Sequence, residues 1–167
     1  MSTQVSIEAP DQQALAAMAG DHAELRRELD DRVRALRIVV RTRAEYQPQL
    51  TALKEFVDER VLPHAAAEEE TLYPAAETDA PLFVEAMRAE HRRLADAARV
   101  LDHARSSVEA LAAAEGFAAV FHVHVDNANE QLLPFLDRAA GARLAELHEA
   151  MQERLNELRD ADDTADR

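Results

Sequence analysis

Hydrophobic residues recur at three- and four-residue steps along most of this chain, which is the spacing of the buried face of an amphipathic helix. Five such stripes are separated by short stretches that contain proline, glycine or serine. The pattern predicts an all-α fold: an up-down-up-down four-helix bundle with an additional C-terminal helix, which packs outside the bundle or across one end.

Several boundaries of these helices follow from the residues that interrupt the stripes. Asp79 is a candidate N-cap for the third helix. Pro63 removes one hydrogen bond within the second helix and predicts a kink just before His64. Serines and a glycine bracket an alanine-rich connection over residues 106–116, which predicts a fourth helix from about Phe117 to Leu136.

The composition is that of one soluble helical domain. Hydrophobic residues make up 47% of the 167 residues and only three glycines occur, which favours long helices around a real core. We expect a short tail over residues 1–9, the bundle over residues 10–159 and a polar tail over residues 160–167. The N-terminus lacks the pattern of a signal peptide, and no apolar run suggests a membrane span.

The charge and the missing cysteines exclude several classes of function. A net charge of −14 disfavours nucleic acid and anionic membranes as partners. Without cysteine the chain has no disulfide, thiolate metal site or cysteine nucleophile, which fits a reducing cytoplasm. We therefore expect a cytoplasmic protein.

Four of the seven histidines lie on the apolar stripes of four different helices: His22, His64, His91 and His124. A single histidine on an inner face is more often a hydrogen-bonded core residue than a ligand. Four buried imidazoles in one small core are costly unless something binds their ring nitrogens, and a metal ion does so. The set therefore predicts a metal site.

Glu68 adds a carboxylate to this set. It stands four residues after His64, on the same helical face, so both side chains can reach one ion. Imidazole and carboxylate without sulfur suit iron, zinc or manganese. The chain has no HExxH, no Glu-x-x-His, no glycine-rich phosphate loop and no Gly-x-Ser-x-Gly, so it lacks the signatures of zinc proteases, ferritin-like centres, nucleotide binding and serine hydrolysis.

These segments resemble the hemerythrin-like (HHE cation-binding) family, whose pattern is H…HxxxE…H…HxxxE. The resemblance covers residues 11–158 and is most specific in HAAAEEETLYP, residues 64–74; Asp21-His22 and Glu90-His91-Arg92-Arg93-Leu94 also match. It implies a four-helix bundle around an oxo- or hydroxo-bridged, non-haem di-iron centre. By position, the four histidines would be terminal ligands and Glu68 a bridge.

The fourth helix departs from that pattern. Ala128 stands where the second bridging carboxylate is expected, Asn129 follows at the alternative position, and Glu130 lies one residue further. A helix bulge that turns Asn129 or Glu130 inward is one solution. Another is that His122 and Asp126, an HxxxD pair, replace the predicted ligand. A third is that solvent or a substrate carboxylate fills the position.

The register with His124 is preferred to that with His122. His124 precedes Leu132-Leu133-Pro134 by the same interval at which His64 precedes Leu72-Tyr73-Pro74. We assign His122, like His103 and His148, to helix surfaces or packing seams. Tyr73 is interpreted as a large side chain at a helix end, and Glu69 as a solvated residue.

The resemblance implies oxygen binding, nitric oxide or peroxide handling, or sensing. Our first hypothesis is a non-haem iron protein that binds O2, NO or peroxide at an open position beside Leu25, Leu94 and Phe121. A peroxide-decomposing or oxygen-activating enzyme is a variant of it. The alternative, supported by Ala128, is a degenerate bundle with one metal ion or none that acts as a regulatory or interaction module.

Overall fold

The protein is described by a computed structural model that covers residues 8–139 and 143–165, and in these ranges it is helical without strands. The helices are α1 (Glu8–Arg41), α2 (Gln47–Phe56), α3 (Leu62–Thr71), α4 (Tyr73–Glu77), α5 (Pro81–Asp102), α6 (Ser107–Asn127), α7 (Leu133–Arg138) and α8 (Leu144–Ala165). The all-α prediction is confirmed. Residues 1–7 and 166–167 of the predicted tails, and the break predicted at Gly141, lie outside the described residues.

The four members of the bundle are α1, α2 with α3, α5, and α6 with α7. A π-helical turn, Val57–Val61, joins α2 to α3, and a second one, Ala128–Leu132, joins α6 to α7. In each turn the backbone bond spans five residues, from Leu62 N–H to the Val57 carbonyl and from Leu133 N–H to the Ala128 carbonyl. A proline, Pro63 or Pro134, stands two residues after the end of each turn. Because proline donates no backbone N–H, it interrupts the hydrogen bonds of the helix, and the wide turn accommodates that interruption.

The core consists of two apolar clusters, and the predicted ligands lie between them. On α1, Met18 belongs to one cluster and Leu25 to the other, with His22 in between. On α5, Met87 and Leu94 flank His91 in the same way. Since residues three or four apart share a helical face, each predicted ligand is held by apolar packing on both sides.

Two predicted boundaries are wrong. The N-cap of α5 is Ala80, not Asp79, and no side chain caps that end; Pro81 in the first turn has no N–H that needs a cap. The alanine-rich stretch is not a connection, because α6 begins at Ser107. Ser106 is its N-cap and accepts a hydrogen bond from the Glu109 N–H at 3.2 Å, a Ser-x-x-Glu signal that the sequence contained.

The C-terminal helix α8 packs against α1 and α3. Asp11 on α1 accepts a hydrogen bond from the Ala145 N–H at 2.9 Å and so caps the first turn of α8. Arg154 pairs with Glu70 on α3, with its Nε 2.5 Å from Glu70 Oε2. The helix extends to Ala165, into the segment predicted as a polar tail.

One stretch, Ser107–Arg138, is long and apolar enough to cross a membrane by length and composition alone. The expectation that no apolar run suggests a membrane span was therefore wrong. In this structure 44% of its most apolar part is buried, and Phe117, Phe121 and Val125 belong to the core. Packing in the bundle thus accounts for part of its hydropathy.

Candidate metal centre

The five predicted ligands come together in the middle of the bundle. Among the described residues, the buried polar or charged side chains are His22, His64, Glu68, His91 and His124. Glu68 is fully buried and lies at the centre of the group. A carboxylate among imidazoles is the donor set that the sequence predicted.

The Nε2 atoms of the four histidines all face the Glu68 carboxylate. Its Oε1 lies 3.0 Å from His22 Nε2 and 3.7 Å from His64 Nε2. Its Oε2 lies 3.2 Å from His91 Nε2 and 3.1 Å from His124 Nε2. Each carboxylate oxygen is therefore shared by two imidazoles from different helices.

This arrangement divides the site into two halves. His22, His64 and Glu68 form one triad, and Glu68, His91 and His124 form the other, with donor atoms within 4.8 Å of one another in each. Glu68 belongs to both triads, so its two oxygens can serve two cations. The two triads are therefore two candidate positions for a cation, and Glu68 is common to both.

In three of the imidazoles, Nδ1 contacts a side-chain oxygen on the side of the ring that faces away from Glu68. His22 Nδ1 lies 2.7 Å from Asn129 Oδ1, His91 Nδ1 lies 2.9 Å from Glu69 Oε1, and His124 Nδ1 lies 3.4 Å from Glu90 Oε2. A partner that accepts the Nδ1 proton directs the Nε2 lone pair toward the centre, as ligand histidines require. The interpretation of Glu69 as merely solvated was wrong, and the roles of Glu69 and Glu90 were missed.

Strong electrostatic coupling marks the centre. Burial alone would raise the pKa of Glu68, but hydrogen bonds from His124, His22 and His91 lower it well below its usual range. Burial opposes the charged form of His124 too, yet the hydrogen bonds and charges of Glu68 and, to a smaller extent, Glu90 raise the pKa of His124 to about 9. Glu68 likewise raises the pKa of His22 against the effect of burial. Glu68 thus stabilises positive charge on its neighbours.

His64 differs from the other three histidines. Burial lowers its pKa to about 3, so the ring is neutral at physiological pH. Its Nε2 is buried without a hydrogen-bond partner, because the distance of 3.7 Å to Glu68 is too long for a bond. An unpaired buried acceptor is costly, and a cation at this position would satisfy it.

Tyr73 also belongs to the site. It is fully buried, its ring stacks on His91 with centroids 5.3 Å apart, and its hydroxyl lies 3.0 Å from His91 Nε2. The interpretation of Tyr73 as a side chain that only ends a helix was wrong. The hydroxyl faces the nitrogen that would bind metal.

On the fourth bundle helix the structure selects among the alternatives. The π-helical turn brings Asn129 to His22, whereas Glu130 is exposed and Ala128 is buried in the core. His122 Nε2 instead lies 2.8 Å from Asp30 on α1. Asp126 accepts a hydrogen bond from Arg26, so the HxxxD alternative is overturned.

The two remaining histidines lie away from the centre. His103 is exposed at the end of α5, and its Nδ1 lies 2.6 Å from the Arg99 carbonyl oxygen. His148 lies on α8, with its Nε2 4.0 Å from Asp21 on α1. These contacts are with residues other than the five central ones.

Comparison with known proteins agrees with the site. The model of the hemerythrin HHE cation-binding domain matches residues 13–136, about three quarters of the chain. A search of curated proteins and a search of solved structures found no match. The matched range contains all five central residues as well as Asn129 and Tyr73. The chain belongs to the hemerythrin HHE cation-binding domain family.

Proposed function

We propose that this protein holds two iron ions between His22, His64, Glu68, His91 and His124, and that the loaded centre binds or processes O2, NO or peroxide. The observation that carries the proposal is the convergence of four Nε2 atoms on one fully buried carboxylate. Such a group is costly to bury without a cation, and the unpaired Nε2 of His64 supports the same conclusion.

The donor set supports iron. Four imidazole nitrogens and one carboxylate, without sulfur, suit iron, zinc or manganese, and iron is the member of that set that handles diatomic ligands. Bound iron would supply an electrophilic, redox-active centre. Two protein triads that share Glu68 leave coordination positions for a ligand.

The protein's own contribution is orientation and exclusion of water. Asn129, Glu69 and Glu90 hold three of the imidazoles by their Nδ1 atoms. Buried Leu25, Leu94 and Phe121 form part of the apolar cluster beside the centre. A dry and rigid site favours the binding of a small neutral ligand over bulk water.

The test is the iron content per chain and the visible spectrum after aerobic reconstitution. We expect two irons per chain with ligand-to-iron charge-transfer bands. His64→Ala should lose at least one iron, whereas the exposed His103→Ala is the matched control and should keep both. A wild-type protein that retains no iron would refute the proposal.

A second candidate is a degenerate centre with one metal ion that serves a regulatory role. The observation that favours it is Asn129, an amide where a second carboxylate ligand is expected. One iron per chain without the charge-transfer bands would support this candidate, and an unchanged iron content in His64→Ala would show that the ligand set is wrong.

A further inference from the structure

We propose that helix α8 forms a lid over the His22/His64 half of the centre, and that small ligands enter through the cavity between α1, α3 and α8. The proposal rests on the proposed function, since it assigns the route to that same centre. It also gives a role to α8, which follows the matched range of residues 13–136.

The two halves of the centre are not equally closed. In the His91/His124 half, both Nδ1 atoms contact carboxylates and the Tyr73 hydroxyl lies against His91 Nε2. In the other half, His64 Nε2 has no hydrogen-bond partner. The His22/His64 half therefore has no hydrogen-bonding side chain at His64 Nε2 that corresponds to Tyr73 at His91 Nε2.

A cavity of about 60 Å3 reaches that same half. His64 and Leu25 line it from the bundle, and Gln152, Leu155 and Arg159 line it from α8. His64 and Leu155 are buried whereas Arg159 is exposed, so the cavity extends from the centre toward the surface. The larger groove lined by Val100, by contrast, is lined by none of the five central residues.

The size and charge of the cavity define what can pass. About 10–15 Å3 of such space accommodates one water, so a volume of about 60 Å3 admits a few water-sized molecules and excludes metabolites. Arg60 and Arg159 line it together with Asp21 and Glu24, so neither sign dominates. The route suits ligands of two or three heavy atoms that carry at most one charge.

Helix α8 combines apolar packing in the core, through Leu144, Met151 and Leu155, with weaker polar contacts beside the cavity. Gln152 donates a hydrogen bond to Asp21 at 3.2 Å beside the cavity, and the pair between Arg154 and Glu70 is largely exposed. Exposed pairs contribute little to stability. Loss of the polar contacts at Gln152 and Arg154 would widen the cavity locally, while the apolar residues of α8 keep the helix packed on the bundle.

A lid changes the path of a ligand but not its bound state. Variants of the lid should therefore change the association and dissociation rates by the same factor and leave the affinity unchanged. A residue that contacts the bound ligand would instead change the affinity. This difference separates a route from a binding contact.

The test uses the iron-loaded full chain with azide as a small anionic probe, followed by stopped-flow absorbance. Gln152→Trp should slow association and dissociation at least tenfold, and Leu155→Ala should accelerate both. Asn156→Ala, a truncation at an exposed residue of α8 outside the cavity lining, is the control and should stay within twofold of wild type.

The outcomes separate the two proposals. Iron-loaded protein whose azide rates are within twofold of wild type in both Gln152→Trp and Leu155→Ala would overturn the lid alone. A change in affinity without matched rate changes would overturn it as well, and so would the absence of an azide complex. Protein that cannot be loaded with iron would overturn both. Iron removal by a chelator gives a second readout and should follow the same order of rates.

Discussion

Replacement of Glu68 by glutamine should destabilise the metal-free protein and remove the bridge between the two triads. Glu68 is fully buried and, with Glu90 as the smaller contributor, raises the pKa of His124 against the effect of burial to about 9 from an ordinary 6.5. Such a shift corresponds to about 3 kcal/mol of favourable interaction. Removal of one partner from a buried charge pair costs about 3–5 kcal/mol in other proteins, so both routes give a similar loss.

The variant should still fold. A stability of about 0.05–0.15 kcal/mol per residue gives roughly 8–25 kcal/mol for 167 residues, which exceeds the expected loss. Urea unfolding of the metal-free protein at pH 7, followed by circular dichroism, measures the loss directly. Iron content after reconstitution measures the second effect, and we expect fewer than two irons per chain.

Glu69→Gln is the matched control for this experiment. Glu69 is the next residue and its side chain is 37% exposed where it meets His91, so its replacement should cost less than about 1 kcal/mol. The reasoning would be refuted if Glu68→Gln lost no more stability than Glu69→Gln and kept both irons. Glu68 would then be neither the counter-charge of the imidazoles nor the bridge.

Two further predictions concern protons and the amide at residue 129. Metal-free protein should lose on the order of 2 kcal/mol of stability between pH 7 and pH 9.5. The pKa of His124 is about 9 when folded and 6.5 when unfolded, so its stabilisation is lost as the pH rises through 9. His64 is neutral in the folded state over this range, and only about a quarter of it is protonated in the unfolded state at pH 7, which changes the stability by about 0.2 kcal/mol. Denaturant unfolding at the two pH values measures this, and a metal-free protein as insensitive to pH as the iron-loaded one would contradict it. Asn129→Asp should slow iron loss to a chelator relative to Asn129→Ala, since the carboxylate keeps the hydrogen bond to His22 and adds a negative charge; equal rates for the two variants would show that Asn129 does not act on the centre.

The convergence of the predicted ligands could be foreseen from the sequence because the helix repeat determines which face of each helix they occupy. His22 and His91 each stand between apolar residues of the two core clusters, at helical spacing. A residue in such a stripe points inward whatever the detailed packing. Four inward histidines on four helices then meet by the topology of a bundle.

The residues behind the ligands could not be predicted in this way. Glu69 follows a ligand by one residue, and Glu90 precedes one, so each lies about 100° around its helix from the stripe. From the sequence both resemble solvated acids. Their contacts are with histidines of neighbouring helices, Glu69 with His91 and Glu90 with His124, and such contacts depend on how the helices pack.

On the fourth bundle helix, the π-helical turn changes which residue after His124 faces the site. Pro134 lacks an N–H, and the π-helical turn just before it, Ala128–Leu132, places Asn129 at 2.7 Å from His22 while Ala128 packs in the core. The alanine that seemed to interrupt the motif is therefore a packing residue, and the position five residues after His124 faces the site. Asn129 therefore lies where the family pattern places a carboxylate, but it lacks the charge. Its amide accepts a hydrogen bond there without adding a negative charge. A centre built this way relies on Glu68 alone among the ligands to balance its cations, which is why the charge of that one carboxylate should decide how much metal the protein holds.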